Sequence, residues 1–135
     1  MKSSAAKKIT PPSVFDPTCP ARHALELIAN KWALLILTAL EAGAMRNGDL
    51  MRKIGGVSQK MLTQTLKELE RNGLVIRKDM NTMPPHVEYS LSPLGASLGN
   101  ALIVLDRWAE DHCMELDAAR ERADVRRART ARRVR

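Results

Sequence analysis

Residues 57–73, VSQKMLTQTLKELERNG, constrain the fold more than any other stretch, because they have the pattern of one complete amphipathic helix. Ser58 is a candidate N-cap, since its hydroxyl can accept a hydrogen bond from a free amide of the first turn. Gly73 is a candidate stop, because glycine adopts at little cost the left-handed conformation that ends many helices. The helical period places the apolar residues on one face: Leu62, Leu66 and Leu69, with Met61 at its edge. We therefore expect a helix that packs on a core through this face.

The opposite face of this helix is polar and cationic over its first three turns. It consists of Lys60, Thr63, Gln64, Lys67 and Arg71. The two acids, Glu68 and Glu70, come only in the last turns. Side chains of these types reach base edges and phosphates, so the face suits nucleic acid. For a lone helix a merely solvated face is the more common explanation, and the neighbouring elements decide between the two.

Two helices are predicted in the N-terminal part of the chain. The first covers residues 20–29, with Thr18 as its candidate cap, and the second covers residues 31–42, with Asn30 as its candidate cap. The second helix, KWALLILTALEA, is apolar nearly all round, which is typical of a helix at the centre of a core.

The segments on either side of residues 57–73 complete a known arrangement. A short helix over residues 46–54 and a turn at 55–57 make a helix-turn-helix with it. Residues 74–80 and 86–91 then have the pattern of two strands joined by a turn that contains prolines. We predict a mainly α fold with a small β-hairpin wing, an α+β architecture, which is a winged helix-turn-helix.

A last helix begins at Ser92-Pro93 and has more apolar surface than a small domain can cover. Its apolar stripe consists of Leu94, Leu98, Leu102, Leu105 and Trp108. The excess predicts a second copy of the chain as partner, and hence a homodimer in which the terminal helices form the interface. The alternative is that the first helix of the same chain covers the stripe.

Length and charge divide the 135 residues into three parts. We expect a flexible arm over 1–17, a winged helix-turn-helix domain with dimerisation helices over 18–114, and an arginine-rich extension over 115–135 that is either helical or disordered. The net charge is +7, and from residue 116 onward eight arginines and three acids give a local charge of +5. A basic excess predicts a polyanionic partner without identifying it.

The sequence lacks the patterns of several other protein classes. It has neither the apolar run of a membrane span nor that of a signal peptide, so we expect a cytoplasmic protein that does not bind membranes. We also find no nucleophile elbow, phosphate loop or paired carboxylates beside a histidine, and so expect no enzyme and no cofactor. Winged helices also serve as protein- or RNA-interaction modules, and this alternative stays open.

The chain resembles the HxlR-type branch of the MarR-like winged-helix transcription regulators over about residues 19–112. The resemblance lies in Cys19-Pro20, KWALLIL at 31–37, GVSQKMLTQ at 56–64, Leu69-Glu70, Gly73-Leu74-Val75 and PPHVEYSLSPLG at 84–95. It implies a homodimeric, double-stranded-DNA-binding regulator. Two positions depart from the family pattern. Asn47 replaces an aromatic residue and is expected to act as a cap instead, and His86 replaces a permanently charged wing residue.

The winged-helix prediction assigns DNA contacts to named side chains. The helix of residues 57–73, here called the recognition helix, is expected to enter the major groove. Its predicted contacts are Lys60 and Gln64 to bases, Gln59 and Thr63 beside them, and Ser58 and Lys67 to phosphates. The contacts predicted to position the DNA backbone are Arg46, Arg77, Lys78 and His86.

The two cysteines are candidates for a redox switch. Cys19 lies at a helix N-terminus with Arg22 and His23 near in sequence, which favours its thiolate. The resemblance implies that a cysteine here can sense an oxidant or a small-molecule electrophile, in some members by pairing with a C-terminal cysteine of the other subunit, for which Cys113 is the candidate. An unreactive, packed thiol is an equal alternative.

A metal site is a further, weaker interpretation of the same region. Cys19, His23, His112 and Cys113 are acceptable zinc ligands by type. Their spacing matches no familiar zinc motif, so we expect no metal.

Overall fold

The computed structural model describes residues 11–134, so residues 1–10 of the predicted N-terminal arm lie outside the described residues. In chain order the elements are α1 (Pro20–Ile28), α2 (Lys31–Leu40), β1 (Met45–Arg46), α3 (Asn47–Lys53), α4 (Gln59–Arg71), β2 (Val75–Asp79), β3 (Val87–Leu91) and α5 (Pro93–Arg133).

Helix α2 is the centre of the core, as its sequence predicts. Its cap is Asn30, whose side-chain oxygen accepts a hydrogen bond from the Trp32 amide at 2.9 Å. Its buried residues are Ala33, Ile36, Leu37, Ala39 and Leu40. The helix ends two residues earlier than predicted, and Gly43, with φ of +135°, turns the chain away from it.

Helices α3 and α4 form the predicted helix-turn-helix. Leu50 of α3 is fully buried, and Gly56 has φ of +85° in the connecting turn. The recognition helix α4 begins after Ser58, whose hydroxyl accepts a hydrogen bond from the Met61 amide at 3.0 Å. It ends at Arg71, and Gly73, with φ of +75°, turns the chain away from it. The Gly73 and Leu74 amides then donate to the carbonyls of Glu70 and Leu69, each at 3.0 Å. Both predicted ends are therefore confirmed.

Two predicted caps are wrong. The N-cap of α1 is Cys19 rather than Thr18, because the Thr18 hydroxyl donates instead to the Asp16 carboxylate at 2.8 Å. Asn47 is the first residue of α3 and not its cap. Arg46 is the N-cap, and its backbone amide donates to the Asp49 carboxylate at 3.2 Å.

The wing contains a strand that the sequence did not predict. Strands β2 and β3 pair antiparallel as expected, but β1 pairs with the other edge of β3, so the sheet has three strands in the order β1-β3-β2. The predicted two-stranded ribbon is therefore incomplete. Strand β1 has only two residues, which are too few to show an alternating pattern, so the sequence does not predict it.

Ser92 joins the wing to the recognition helix and to α5. Its hydroxyl donates to the Gly73 carbonyl at 2.6 Å and accepts from the Gly95 amide at 3.0 Å. Its backbone amide donates to the Leu74 carbonyl at 3.0 Å. The first turn of α5 is thus fixed to the end of α4 and the start of β2.

The predicted apolar stripe of α5 is divided between the core and the surface. Leu102 is buried in the chain's own core, where it is covered without a partner chain. Leu98 is half-buried against that core. The three residues left exposed are Leu94, Leu105 and Trp108, of which about half the surface is accessible (59%, 49% and 50%). The predicted stripe is therefore narrower than the sequence suggested.

Two further observations concern the helices. Among the nine described residues of α1, none is fully buried, although the helix is strongly amphipathic. In residues 11–134, no single helix is both long and apolar enough to cross a membrane. Helices α1 and α2 reach that length and apolarity only as a pair bent by 82°, and α2 supplies much of the core.

Candidate nucleic-acid interface

The recognition helix α4 divides sharply into a buried side and an exposed side. Leu62, Leu66 and Leu69 are buried, as predicted, together with Thr65, whose hydroxyl donates to the Met61 carbonyl at 2.7 Å. The predicted DNA-contacting residues are on the other side: Ser58, Gln59, Lys60, Gln64 and Lys67 are exposed, and Thr63 is half-buried. Over its first two turns this exposed side contains no acid.

Two of these side chains are ordered against each other. The Gln59 side-chain amide donates to the Thr63 hydroxyl at 3.0 Å, one turn along the helix. This contact leaves the Gln59 carbonyl oxygen and the Thr63 hydroxyl proton available to a ligand. Lys60 and Gln64 are also one turn apart, so they lie next to each other on the exposed side.

The pairing of the three strands divides the predicted wing residues between two faces. Arg46 is directly opposite Glu88, and Lys78 is directly opposite Glu88 on its other side. Directly opposed residues in antiparallel strands point to the same face, so these three form a row across the sheet. His86 is two residues before Glu88 and lies on this face too, with its Nε2 atom 2.8 Å from the Glu88 carboxylate.

Arg77 lies on the opposite face of the sheet. It pairs with Tyr89, and this face continues through Val75 and Leu91 into the core. Of the four residues predicted to contact the DNA backbone, Arg46, Lys78 and His86 are therefore on the outer face of the sheet and Arg77 is on the core-side face.

Glu88 was missed by sequence reasoning, although its position bears directly on the charge of the wing. It lies between Arg46 and Lys78 in the strand register, and its carboxylate is in contact with the His86 imidazole. The alternation of β3 places Glu88 on the same face as His86, and this signal was available in the sequence. The position of Arg46 beside Glu88 could not be predicted from the sequence, because it depends on the pairing of β1 with β3.

Arg46 connects α3, the sheet and the wing tip. Its guanidinium donates to the Pro85 carbonyl at 3.4 Å, across to the turn between β2 and β3. Its backbone amide donates to Asp49, and this hydrogen bond, supported by Arg52, lowers the pKa of the Asp49 carboxyl below its ordinary value of 3.8 against a smaller opposing effect of burial. Asp49 is therefore a fixed anion at the start of α3 at neutral pH.

The structure places the two cysteines in different surroundings. Cys19 is partly buried at the N-terminus of α1, and Cys113 is exposed on α5 with its thiol 3.4 Å from the Glu110 carbonyl. The Arg22 guanidinium donates to the carbonyls of Val14 (2.7 Å) and Phe15 (3.2 Å). The cation that sequence reasoning placed beside Cys19 is thus engaged with the preceding turn.

No metal centre is formed by the described residues: in 11–134 no three His, Cys, Asp or Glu side chains are grouped so that they could bind one ion. A cleft of about 370 Å³ lies between α2, the end of α3 and α5. Its apolar lining includes Leu35, Ala39, Ile54 and Ile103, and its charged lining residues are Lys53, Arg107, Asp106 and Glu110.

Comparison with known proteins identifies the family that this geometry resembles. The model of HxlR-like helix-turn-helix proteins matches residues 27–117, about two thirds of the chain. The HTH-type transcriptional regulator YtfH of Escherichia coli is 42% identical over 118 residues, which cover 87% of this chain and 94% of YtfH.

Solved structures agree with the sequence comparison. The transcriptional regulator ytfH from Salmonella typhimurium has a TM-score of 0.76 at 42% identity, covering 82% of this chain and 99% of its own. The redox regulator HypR in its reduced form has a TM-score of 0.67 at 31% identity, covering 73% of this chain and 98% of its own. The predicted fold class and the predicted family are both confirmed.

Proposed function

The chain belongs to the HxlR-like helix-turn-helix family, whose relatives are transcriptional regulators, and from this premise we propose that it is a sequence-specific DNA-binding repressor without enzymatic activity. In this proposal it acts in the cytoplasm as a homodimer on a palindromic operator with half-sites about one helical turn apart. Lys60 and Gln64 read bases in the major groove, and the wing contacts the phosphates beside them.

The observation that supports this proposal most is the exposed side of α4. Ser58 fixes the start of the helix, and the leucines fix its rotation, so Lys60 and Gln64 face solvent side by side. Lysine directs a donor to guanine O6 or N7, and glutamine pairs with adenine N6 and N7. The N-terminus of the recognition helix carries the positive end of the helix dipole, which favours a phosphate there.

The test is to select duplexes from a random pool with the full-length protein and to measure binding to the selected site. Lys60→Ala and Gln64→Ala are each expected to weaken specific binding by about 1–3 kcal/mol, roughly 5- to 150-fold, and to relax the preference at one base position per half-site. Arg71→Gln is the matched control, since Arg71 is an exposed cation in the last turn of the same helix, 3.6 Å from Glu68. Selection of no common sequence would favour the interaction-module alternative.

We also propose that Cys19 regulates DNA binding through its redox state. The named redox regulator HypR supports this, as does the position of Cys19 at the N-terminus of α1. In the proposed reaction, Cys19 of one copy and Cys113 of the other form a disulfide, and the oxidant takes up the two hydrogens that the thiols lose. Cys113 is exposed and so available for the second bond.

Diamide is a suitable oxidant for the test of this switch. We expect it to weaken binding to the selected site in the wild type, to have no effect on Cys19→Ser, and to act reversibly with dithiothreitol. Cys113→Ser separates the two-cysteine reaction from oxidation of Cys19 alone, because only the former requires Cys113. Binding that is indifferent to diamide in every variant would remove the switch and leave the regulator.

A small-molecule effector has a candidate site in the cleft between α2 and α5. Its volume of about 370 Å³ is within the range of ligand pockets, and its lining combines apolar side chains with two cations, Lys53 and Arg107, and two acids, Asp106 and Glu110. A ligand there contacts α2, the end of α3 and the middle of α5 at once, so it is positioned to favour one arrangement of α5 over another.

A further inference from the structure

Four arginines form a ridge along the C-terminal part of α5. Arg122, Arg126, Arg129 and Arg133 are spaced by four, three and four residues, so they fall within a narrow arc of the helix surface. They extend over about 16 Å of helix, at 1.5 Å per residue. We call this set the arginine ridge.

The acidic residues in the C-terminal part of α5 do not lie beside the arginine ridge. Every residue three or four positions from a ridge arginine, within residues 118–133, is Ala, Val, Thr or Arg. The acids of this segment, Glu121 and Asp124, and Asp117 just before it lie on the other side of the helix. The nearest acid on the ridge side is Glu115, two turns before Arg122. Neighbouring arginines without acids between them repel each other and destabilise the helix.

The ridge is accessible and is not neutralised by the rest of the molecule. Every residue from Cys113 to Val134 except Ala118 is exposed, so this part of α5 stands out from the domain. In the part of the chain that the structure describes, no carboxylate is within salt-bridge distance of a ridge arginine. The family match ends at residue 117, so the ridge lies beyond the shared domain.

We propose that the arginine ridge is a second DNA-binding surface, which contacts the phosphates of duplex DNA without reading sequence. The proposal goes beyond the operator contacts of the recognition helix, since it concerns a different element and any DNA sequence. Guanidinium groups in a row match a row of phosphates, each of which can accept paired hydrogen bonds. Their release of counterions from the DNA supplies affinity at low salt.

The composition of the helix favours DNA over a membrane surface. A helix that lies in a bilayer interface needs large apolar side chains opposite its cations. From Ala118 to Arg133 the apolar residues of α5 are alanines and the single valine Val125. This segment therefore offers charge to a polyanion but little to insert into lipid.

The test compares two double variants that remove the same charge from the same helix. Arg126→Gln with Arg129→Gln removes half of the ridge. Arg120→Gln with Arg127→Gln is the matched control, because these arginines lie off the ridge and each is three residues from an acid, Asp117 or Asp124. Arginine and glutamine have similar helix propensities, so both variants are expected to keep the helix, which circular dichroism checks.

Binding of the full-length variants to a duplex without the selected site is measured at several salt concentrations. We expect the ridge variant to lose about tenfold in affinity at moderate salt and its salt slope to flatten by about 1 to 2. The control variant should change by less than half of this. Equal losses in the two variants would mean that only net charge matters, and no loss in either would mean that the ridge does not contact DNA; both results overturn the proposal.

Two further measurements exclude other partners. Loss of binding to phosphatidylserine vesicles by the ridge variant, with unchanged DNA binding, would assign the ridge to a membrane. A change in its sedimentation coefficient would assign the ridge to the acidic side of a second copy. Binding to the selected operator is measured in parallel, so that failure of the ridge proposal and failure of the repressor proposal give different results.

Discussion

Gly95 is the residue at which the packing of α5 against the wing allows no side chain. A Cβ atom there would overlap the backbone carbonyl of Leu74, which accepts the Ser92 amide. The sequence shows only a glycine in the first turn of a helix, where it is unfavourable by propensity. Its necessity depends on a contact between residues far apart in the chain, and no local pattern reveals such a contact.

Gly95→Ala is therefore expected to destabilise the protein by about 3 kcal/mol or more, because backbone atoms must move to admit the methyl group. Gly48→Ala is the control within a helix, since a Cβ there meets only the Arg52 guanidinium at an ordinary 3.5 Å. It is expected to be neutral or to stabilise by about 0.5–1 kcal/mol. Urea unfolding measures both, and equal effects would contradict the close contact.

Asp49 gives the fold a dependence on pH that can be assigned to one carboxyl group. The hydrogen bond from the Arg46 amide lowers its pKa in the folded protein, so the folded state favours the ionised form. This contribution is complete above the ordinary pKa of 3.8 and is lost as the pH falls through the lowered value. The difference in unfolding free energy between wild type and Asp49→Ala should thus be constant near neutral pH and shrink below pH 3.8. A difference that does not vary with pH would contradict this assignment.

At the level of elements, the long periodic segments were predictable and the short ones were not. The apolar stretch of α2 and the capped pattern of α4 contain enough residues for their period to be read. Strand β1, with two residues, has no period, and its pairing with β3 changes the interpretation of Arg46. The burial of Thr65 was not predicted, because threonine is a polar residue. Its hydroxyl can be buried because it donates a hydrogen bond to the Met61 carbonyl of the same helix.

The sheet leads to a prediction about Glu88. Glu88 is on the same face as Arg46, Lys78 and His86, so its negative charge reduces the positive potential of the outer wing face. Glu88→Gln is expected to increase affinity for non-specific DNA about two- to fivefold, corresponding to about 0.5–1 kcal/mol for a partly exposed charge. Glu26→Gln removes an exposed acid from α1 and serves as the control. Weaker binding by Glu88→Gln would indicate that Glu88 mainly orients its neighbours.

At the scale of the whole molecule, the sequence predicted an exposed apolar stripe on α5, but it did not predict which residues of the stripe stay exposed. Leu102 has the same period as Leu105, yet α2 covers the former and leaves the latter exposed. Which side of a long helix faces the chain's own core depends on how the helices cross. Periodicity along one helix does not contain that information.

The exposed remainder still favours a homodimer and can be tested through Trp108. This side chain is half exposed, and its ring stacks on His112 with centroids 4.6 Å apart. Trp108→Glu is expected to weaken self-association by about 2 kcal/mol or more, because a charge replaces a large apolar contact. Met114→Glu is the control, as Met114 is an exposed apolar residue of α5 that lies off the stripe of Leu94, Leu105 and Trp108. Sedimentation at several concentrations measures both, and an unchanged Trp108→Glu dimer would place the interface elsewhere.

The hydrogen bonds of Ser92 have a mechanical consequence. Because this one side chain bonds to both the end of the recognition helix and the first turn of α5, we expect these two parts of the molecule to move together. Helix α5 is about 60 Å long, so contacts near its C-terminal end lie far from its first turn, where the recognition helix is attached. In a pair of chains joined through α5, the crossing angle of the two long helices then sets the distance between the reading surfaces, as the hinge of a pair of callipers sets the gap between its jaws.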